Sequence, residues 1–424
     1  MKYVIEGGYP LSGAITVAGN KNAALPCIAA CLLTDEEVLL KNIPEIEDVK
    51  VMFSVIEAIG GTVKHESKGV FRVKCTNISS ELPAEPLKRI RAAILFAGPI
   101  LARAGKLQLP PPGGDVIGRR RLDTHFLALE ALGARVEISS HYNLTANKLV
   151  GADIFLDEAS VTATENAIMA AVLSEGDTLI NNAACEPHVQ DLCHMLVAMG
   201  AKIANIGSNR LNIKGVNKLH GCEFAIGSDF MEVGSFISLA ACCRSELTIN
   251  NVQAKDLRMV TLAFKKLGIS WETGGSTIFV GKNQKMQMEN DMGGAIATIA
   301  DGIWPSFPAD LMSTMIIAAT QCEGTILFHE KMYESRMFFV DKLVSMGARI
   351  ILCDPHRAVV SGRSQLQGAT LASPDVRAGM AMLIAALCAT GTSAISNIYQ
   401  IERGYEHIAD RLTALGAHIK KVES

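Results

Sequence analysis

The chain has 424 residues, a net charge of −3, 49% hydrophobic residues and 20% charged ones. That length exceeds one ordinary core, so two domains are expected, and the apolar content argues against intrinsic disorder. The near-balanced charge excludes a general nucleic-acid binder and confines any anion site to local clusters.

Eleven cysteines form no CxxC pair, so neither a zinc site nor a disulfide framework is expected. Cys27, Cys31, Cys242, Cys243 and Cys388 sit in Ala/Leu-rich segments and read as small buried hydrophobes. The opening "MKYVIEGGYPLSG" has no apolar signal region, and no uncharged run is long enough for a membrane helix. The expectation is a reduced, cytoplasmic protein with no membrane contact.

Taken in chain order, the elements repeat. "KNAALPCIAACLL" predicts a buried helix, apolar nearly all round, and "DVKVMFSVIEAIGG" predicts an amphipathic one that stops at Gly60. The same pair returns as "RAAILFAGPILA" with "ALEALGA", and as "ENAIMAAVL" with "LVAMGA". It continues as "EVGSFISLAACC" with "FKKLGI", "DLMSTMIIAAT" with "LVSMGA", and "VRAGMAMLIAALCA" with "LTALGA". The stop glycines are Gly60, Gly133, Gly200, Gly268, Gly347 and Gly416, spaced 67 to 79 residues apart. Each stands where a helix ends in a left-handed cap. Runs such as "GDTLINNA", "RLNIKGV", "GTILFHE" and "RAVVSG" predict strands. One unit is therefore strand, helix, strand, helix, strand, strand. Six copies predict two three-fold α/β domains with helices at the centre and sheets outside.

Polar residues open five of the buried helices: Lys21 and Asn22, Arg91, Asp229 and Glu232, Asp310, Asp375 and Arg377. Asp and Asn there are natural caps. Lysine and arginine are not, because the helix start is electropositive, so Lys21, Arg91 and Arg377 point to an anionic ligand. The stretch "PPPGGDVIGRRRLDTHF" (110–126) is a loop: its prolines and glycines oppose regular structure, and one acid stands ahead of three arginines. His125 there can be a cap, a packing residue or a ligand. Glu186 and Asp48 read as structural.

The segments "VAGNKNAALP", "PGGDVIGRRRLD", "FPADLM", "YESRM", "PDVRAG" and "IERGYEHI" together resemble the enolpyruvyl transferases, from Lys2 to the C-terminus. "GNKNAALP" and "ERGYEHI" resemble the branch that acts on UDP-N-acetylglucosamine rather than on shikimate 3-phosphate. The resemblance implies a two-domain inside-out α/β barrel of six βαβαββ units. It assigns residues 21–229 to a catalytic domain, and 1–20 with 230–424 to the second.

It further implies phosphoenolpyruvate and a UDP-sugar as substrates in a cleft, residues 110–122 as a lid, and neither metal nor organic cofactor. By the same resemblance Lys21, Arg120 and Arg403 bind the phosphate, and Arg336 and Arg377 the carboxylate. Planar guanidinium forks suit both groups. Asn22 holds the enol ester and its tetrahedral adduct, and Asp310 is the general base for the sugar 3-hydroxyl. Arg91, Arg120, Arg121, Leu122, Asp123, Thr124, Ser160, Val161, Asp310 and Met332 match nucleotide-sugar contacts. Asp115 matches the lid acid.

The family usually carries cysteine where this chain has Asp115. For an aspartate to donate a proton at neutral pH its pKa must rise by about three units, roughly 4 kcal/mol. Fosfomycin, an epoxide that alkylates the cysteine, is then expected not to inactivate this protein. Arg121 and Leu122 stand where proline and a β-branched residue are common. Ser335 replaces asparagine, Phe230 replaces arginine, and no lysine stands near Glu158. These differences leave open an acceptor such as UMP. A non-catalytic UDP-sugar-binding paralogue is the third reading, and the intact Lys21, Asn22, Asp310, Arg377 and Arg403 weigh against it.

Overall fold

The computed structural model describes residues 1–113 and 121–423. The chain splits into two compact units. The first comprises residues 19–113 and 121–227, the second residues 1–18 and 228–423. Each has its own hydrophobic core.

In the first unit the core is built on three central helical segments. They are Lys21–Ala30, the 3₁₀ turn Arg91–Phe96 running into Ala97–Ala104, and Val161–Ala171. In the second unit the equivalents are Phe230–Cys242, Met312–Thr320 and Val376–Cys388. All thirteen residues of Phe230–Cys242 are buried, as an all-round apolar sequence requires. Small residues let these helices approach closely. A side chain at Gly98 would meet the Asn166 carbonyl at 2.5 Å. Of the cysteines read as buried, Cys27, Cys31 and Cys242 are, whereas Cys243 and Cys388 are only half-buried because they lie at helix ends.

The six glycine stops behave alike. All six have positive φ, between 68° and 102°. In each case the following residue (Gly61, Ala134, Ala201, Ile269, Ala348 or Ala417) donates its N–H to the carbonyl five residues back, at 2.9–3.1 Å. That is the Schellman closure, which satisfies carbonyls left over at a helix end.

Around the helices lie three sheets in each unit. The pattern is a short strand parallel to its neighbour, followed by two antiparallel strands, as in Asp153–Phe155, Asp177–Asn181, Arg210–Lys214 and Lys202–Ala204. Two departures from strict repetition matter. The strand before the first central helix, Ser12–Thr16, pairs in parallel with Glu246–Asn250 of the second unit. The strand before the fourth, Glu223–Ala225, pairs with Glu37–Lys41 of the first. The first unit thus takes its opening strand from its own C-terminal end, and the second takes its own from the N-terminal segment that precedes the first unit in the sequence. Similarly, the N-terminal strand Lys2–Gly7 completes the last sheet, between Gly391–Ser396 and His418–Val422. The second repeat lacks a full opening strand; a single bridge from Glu81 to Gln108 replaces it.

A second periodic mark had no part in the sequence reading. Asn42, Asn182, Asn251 and Asn397 each follow a central strand with φ of 55–62°. Each side-chain amide donates to a backbone carbonyl, of Ile226, Leu156, Val17 and Ser373 respectively. Asparagine tolerates the left-handed conformation, and here it also locks the residue after the neighbouring parallel strand.

Candidate active site

In the second unit two candidate residues, Arg336 and Arg377, converge on the carboxylate of a third, Asp310. Asp310 lies in the 3₁₀ turn Ala309–Leu311, just ahead of the central helix Met312–Thr320. Its Oδ1 accepts from Arg336 at 3.0 Å, and its Oδ2 lies 3.0 Å and 3.1 Å from two nitrogens of Arg377. Burial alone would raise its pKa, but the two guanidiniums prevail and hold the carboxyl far below the ordinary range. Asp310 therefore carries its full charge at neutral pH.

Both arginines are buried. Arg336 also donates to the Ala309 carbonyl at 3.2 Å and lies over the Tyr333 ring at 4.6 Å. Arg377 stands at the second position of helix Val376–Cys388, which Asp375 caps by accepting from the N–H groups of Arg377 and Ala378. It donates to the Tyr405 hydroxyl at 3.2 Å, and that hydroxyl also meets Ser235 at 2.9 Å. Arg403 is buried at the end of the short helix Tyr399–Glu402 and donates to Gln400. Met332 is 41% exposed, its N–H donated to Asp301.

Asp229 and Glu232 have the structural roles their positions allow. Asp229 caps helix Phe230–Cys242, and burial pushes its carboxyl up to about 6. Glu232 accepts from Ala18 N–H and pairs with Arg411 at 2.6 Å, fastening the chain where it leaves the N-terminal strands.

In the first unit Lys21 opens helix Lys21–Ala30, and its ammonium lies 2.8 Å from Asp48. Asp48, read from the sequence as structural, is thus the ion-pair partner of a candidate site residue. The cap is Asn20, which accepts from Asn22 and Ala23; Asn22 is left in the first turn with its side chain outside the cap. A second group gathers near the start of helix Val161–Ala171. Arg91 donates to the Arg121 carbonyl at 3.0 Å. Arg121 pairs with Asp123 and lies 3.7 Å from Asp157. Thr124 donates to Asp157 at 2.6 Å, and Ser160 caps the helix ahead of Val161. Leu122 is buried. Asp115 and Arg120 lie outside the described residues.

The three cations that the sequence marks as unfavourable at helix starts are answered within the chain. Lys21 meets Asp48, Arg377 meets Asp310, and Arg91 meets a carbonyl. An external anion is therefore not required to explain them; it must compete for them.

His125 is settled as a packing residue. Buried, it holds Asn166 at Nδ1 (2.9 Å) and Thr162 at Nε2 (3.1 Å). Burial, reinforced by Arg91, pushes its pKa down to about 3, so it is neutral. Asn166 donates as well to Ile94 O and accepts from Gly98 N–H, tying three helices together.

A family model described as EPSP synthase (3-phosphoshikimate 1-carboxyvinyltransferase) matches residues 5–412. The chain belongs to the enolpyruvyl transferase family. Within it, a protein of Treponema denticola named UDP-N-acetylglucosamine 1-carboxyvinyltransferase is 61% identical, over 100% of this chain and 99% of its own. Proteins of the same name from Borreliella burgdorferi and Bradyrhizobium diazoefficiens are 57% and 54% identical, with 99% and 98% of their lengths covered. Among solved structures, the enolpyruvyl transferase NikO from Streptomyces tendae superposes with a TM-score of 0.88 at 22% identity, over 99% of this chain and 98% of that one. EPSP synthase from Acinetobacter baumannii gives 0.75 at 17%, over the whole of both chains. These two likenesses speak for the fold, and they bear out the six-unit α/β reading.

Sequence reasoning passed over Asn20, Asp157, Asp301, Glu330, Tyr405 and Asn166. Asn20 could have been found, since it directly precedes a helix that Lys21 cannot cap. Tyr405 lies in the quoted "IERGYEHI". Nothing local marks Glu330, nor Asp157 and Asp301, whose partners come from distant parts of the chain.

Proposed function

We propose that this chain transfers the enolpyruvyl group of phosphoenolpyruvate to the 3-hydroxyl of UDP-N-acetylglucosamine, with release of phosphate. That reaction is the first committed step of peptidoglycan synthesis, and it places the enzyme in the cytoplasm. The observation that carries the reading is the single carboxylate of Asp310 held between two buried guanidiniums. The full-length likeness to UDP-N-acetylglucosamine 1-carboxyvinyltransferases supports the acceptor.

The arrangement suggests how donor and base are coupled. Phosphoenolpyruvate brings its own carboxylate, which competes with Asp310 for Arg336 and Arg377. While both arginines hold Asp310, its carboxylate is too weak a base to take a hydroxyl proton. As the donor carboxylate draws them away, Asp310 regains basicity at the moment the donor is in place. The sugar 3-oxygen then attacks C2 of the enol, its proton passing to Asp310, while C3 takes a proton from an acid. Asp115 fills that role in our assignment. Loss of a C3 proton and of phosphate from the tetrahedral adduct restores the double bond. Lys21, Arg120 and Arg403 take the phosphate, and Asn22 steadies the adduct. Arg91, Arg121, Leu122, Asp123, Thr124, Ser160, Val161 and Met332 serve the nucleotide sugar.

The test incubates the protein with phosphoenolpyruvate and either UDP-N-acetylglucosamine or UMP, following phosphate release and product mass. Turnover with the UDP-sugar alone is expected. Turnover with UMP alone would reassign the acceptor, and binding without turnover would leave a non-catalytic paralogue. Nothing observed favours UMP.

A further inference from the structure

Behind Arg336 lies a second acidic group that the reaction described above does not use. Glu330 and Asp301 follow the ends of two adjacent parallel strands, Gly324–His329 and Ala297–Ala300, whose register pairs Ala300 with His329. Both carboxyls are buried, Glu330 at 0% exposure and Asp301 at 2%. Both turn over the segment 331–333. Asp301 accepts the N–H groups of Lys331 and Met332, and Glu330 Oε1 accepts that of Tyr333 at 3.2 Å. This segment delivers Met332 and, four residues later, Arg336. Glu330 Oε2 stands 3.9 Å from Arg336 Nε. Among the described residues neither atom has a hydrogen-bond partner.

Two buried carboxyls side by side cannot both be ionised cheaply. Asp301 is already engaged by two backbone donors, the N–H groups of Lys331 and Met332. Glu330 is the natural acid: burial first, then its hydrogen bond to Asp301, push its pKa up to about 9, with Arg336 opposing.

We propose that Glu330 is a positioning residue: buried beside Asp301 and accepting the Tyr333 N–H, it braces the 331–336 turn and holds Arg336 ready to be exchanged between Asp310 and the substrate carboxylate. A neutral Glu330 places an apolar wall and a weak dipole behind the guanidinium. An ionised one would be a second carboxylate competing for Arg336 from behind, and would repel Asp301. The groups facing the pair are Arg336 and Tyr333 on the turn, with Lys331 beside them. His329 accepts the Asp301 N–H at its carbonyl, and His356 Nδ1 meets the Glu330 carbonyl at 2.8 Å. Asp310 lies on the far side of Arg336.

This inference rests on the enolpyruvyl-transfer reading for its kinetic arm, so the test has an arm that does not. In the fold Glu330 keeps its proton up to about 9, against an ordinary glutamate value of 4.5. The unfolded chain therefore releases a proton that the fold retains, and stability falls as pH rises across that window. Glu330→Gln preserves the donor to Asp301 and cannot ionise. Its melting temperature, compared with wild type, is expected to shift in the variant's favour between pH 5 and pH 9.

In the kinetic arm, wild-type kcat/KM for phosphoenolpyruvate should fall on an alkaline limb near pH 9, and Glu330→Gln should move that limb upward. Glu330→Ala, lacking the brace, should raise KM for phosphoenolpyruvate roughly tenfold or more at neutral pH, with the glutamine variant restoring most of the loss. Parallel melting curves at every pH, together with an unmoved alkaline limb, would overturn the proposal. Absence of turnover by wild type would overturn the assigned reaction, while the melting arm would still decide whether Glu330 keeps its proton.

Discussion

Replacing Asp310 with asparagine keeps the side chain's size and removes the charge that two buried arginines face. Arg336 would retain the Ala309 carbonyl, and Arg377 the Tyr405 hydroxyl and the Met231 sulfur. Stripping one partner from a buried ion pair typically costs about 3–5 kcal/mol. The Asp310 side chain is 25% exposed, so solvent screens part of this, and about 2 kcal/mol is the reasonable figure. In a domain of this size that lowers the melting temperature by roughly 4–8 °C.

The sign with pH follows from the depressed pKa. Stability supplied by the charged form is present above the ordinary aspartate value and is lost only as the solution becomes strongly acidic. Wild type should therefore lead the variant by a constant margin from pH 5 to pH 9. Phosphoenolpyruvate should stabilise the variant more than wild type, because the guanidiniums are no longer engaged by a resident carboxylate. Turnover should fall by roughly 10²–10⁴-fold for want of the base. Melting curves with and without phosphoenolpyruvate, together with phosphate-release kinetics, measure all of this. A variant that melts with wild type and turns over at a comparable rate would refute both the clamp and the base.

Other expectations are simpler to check. Fosfomycin should leave activity intact after prolonged incubation, and intact-mass measurement should find no adduct at Asp115; time-dependent inactivation with such an adduct would contradict this. Asn166→Ala removes bonds to His125, Ile94 and Gly98 at once and should cost about 2–3 kcal/mol in urea unfolding, with an unchanged acceptor preference. At Gly416 φ is 99° and no atom lies within 4 Å of an added Cβ, so Gly416→Ala isolates the backbone term. A loss of about 1 kcal/mol is expected, and a neutral result would show that the cap relaxes without strain.

Much of this protein was decided by local chemistry that a sequence displays. Apolar runs of helical length, glycine stops and β-rich connections repeat six times, because each unit must bury the same faces and end its helix the same way. The candidate residues Lys21, Asp310, Arg336, Arg377 and Arg403 were legible too, because they stand in short motifs that resemble those of the enolpyruvyl transferases.

Only the tertiary structure decided which charge answers which. Asp48 reaches Lys21 from the next helix, Asp310 joins arginines 26 and 67 residues away, and Asp157 gathers Arg121 and Thr124. The exchange of opening strands, Ser12–Thr16 with Glu246–Asn250 and Glu223–Ala225 with Glu37–Lys41, was equally invisible, because parallel partners carry no local signal of each other. A pKa is likewise a property of surroundings: Asp310 and Glu330 are ordinary acids in the sequence. The fold drives one far down by surrounding it with guanidiniums and the other up to about 9 by burying it against Asp301.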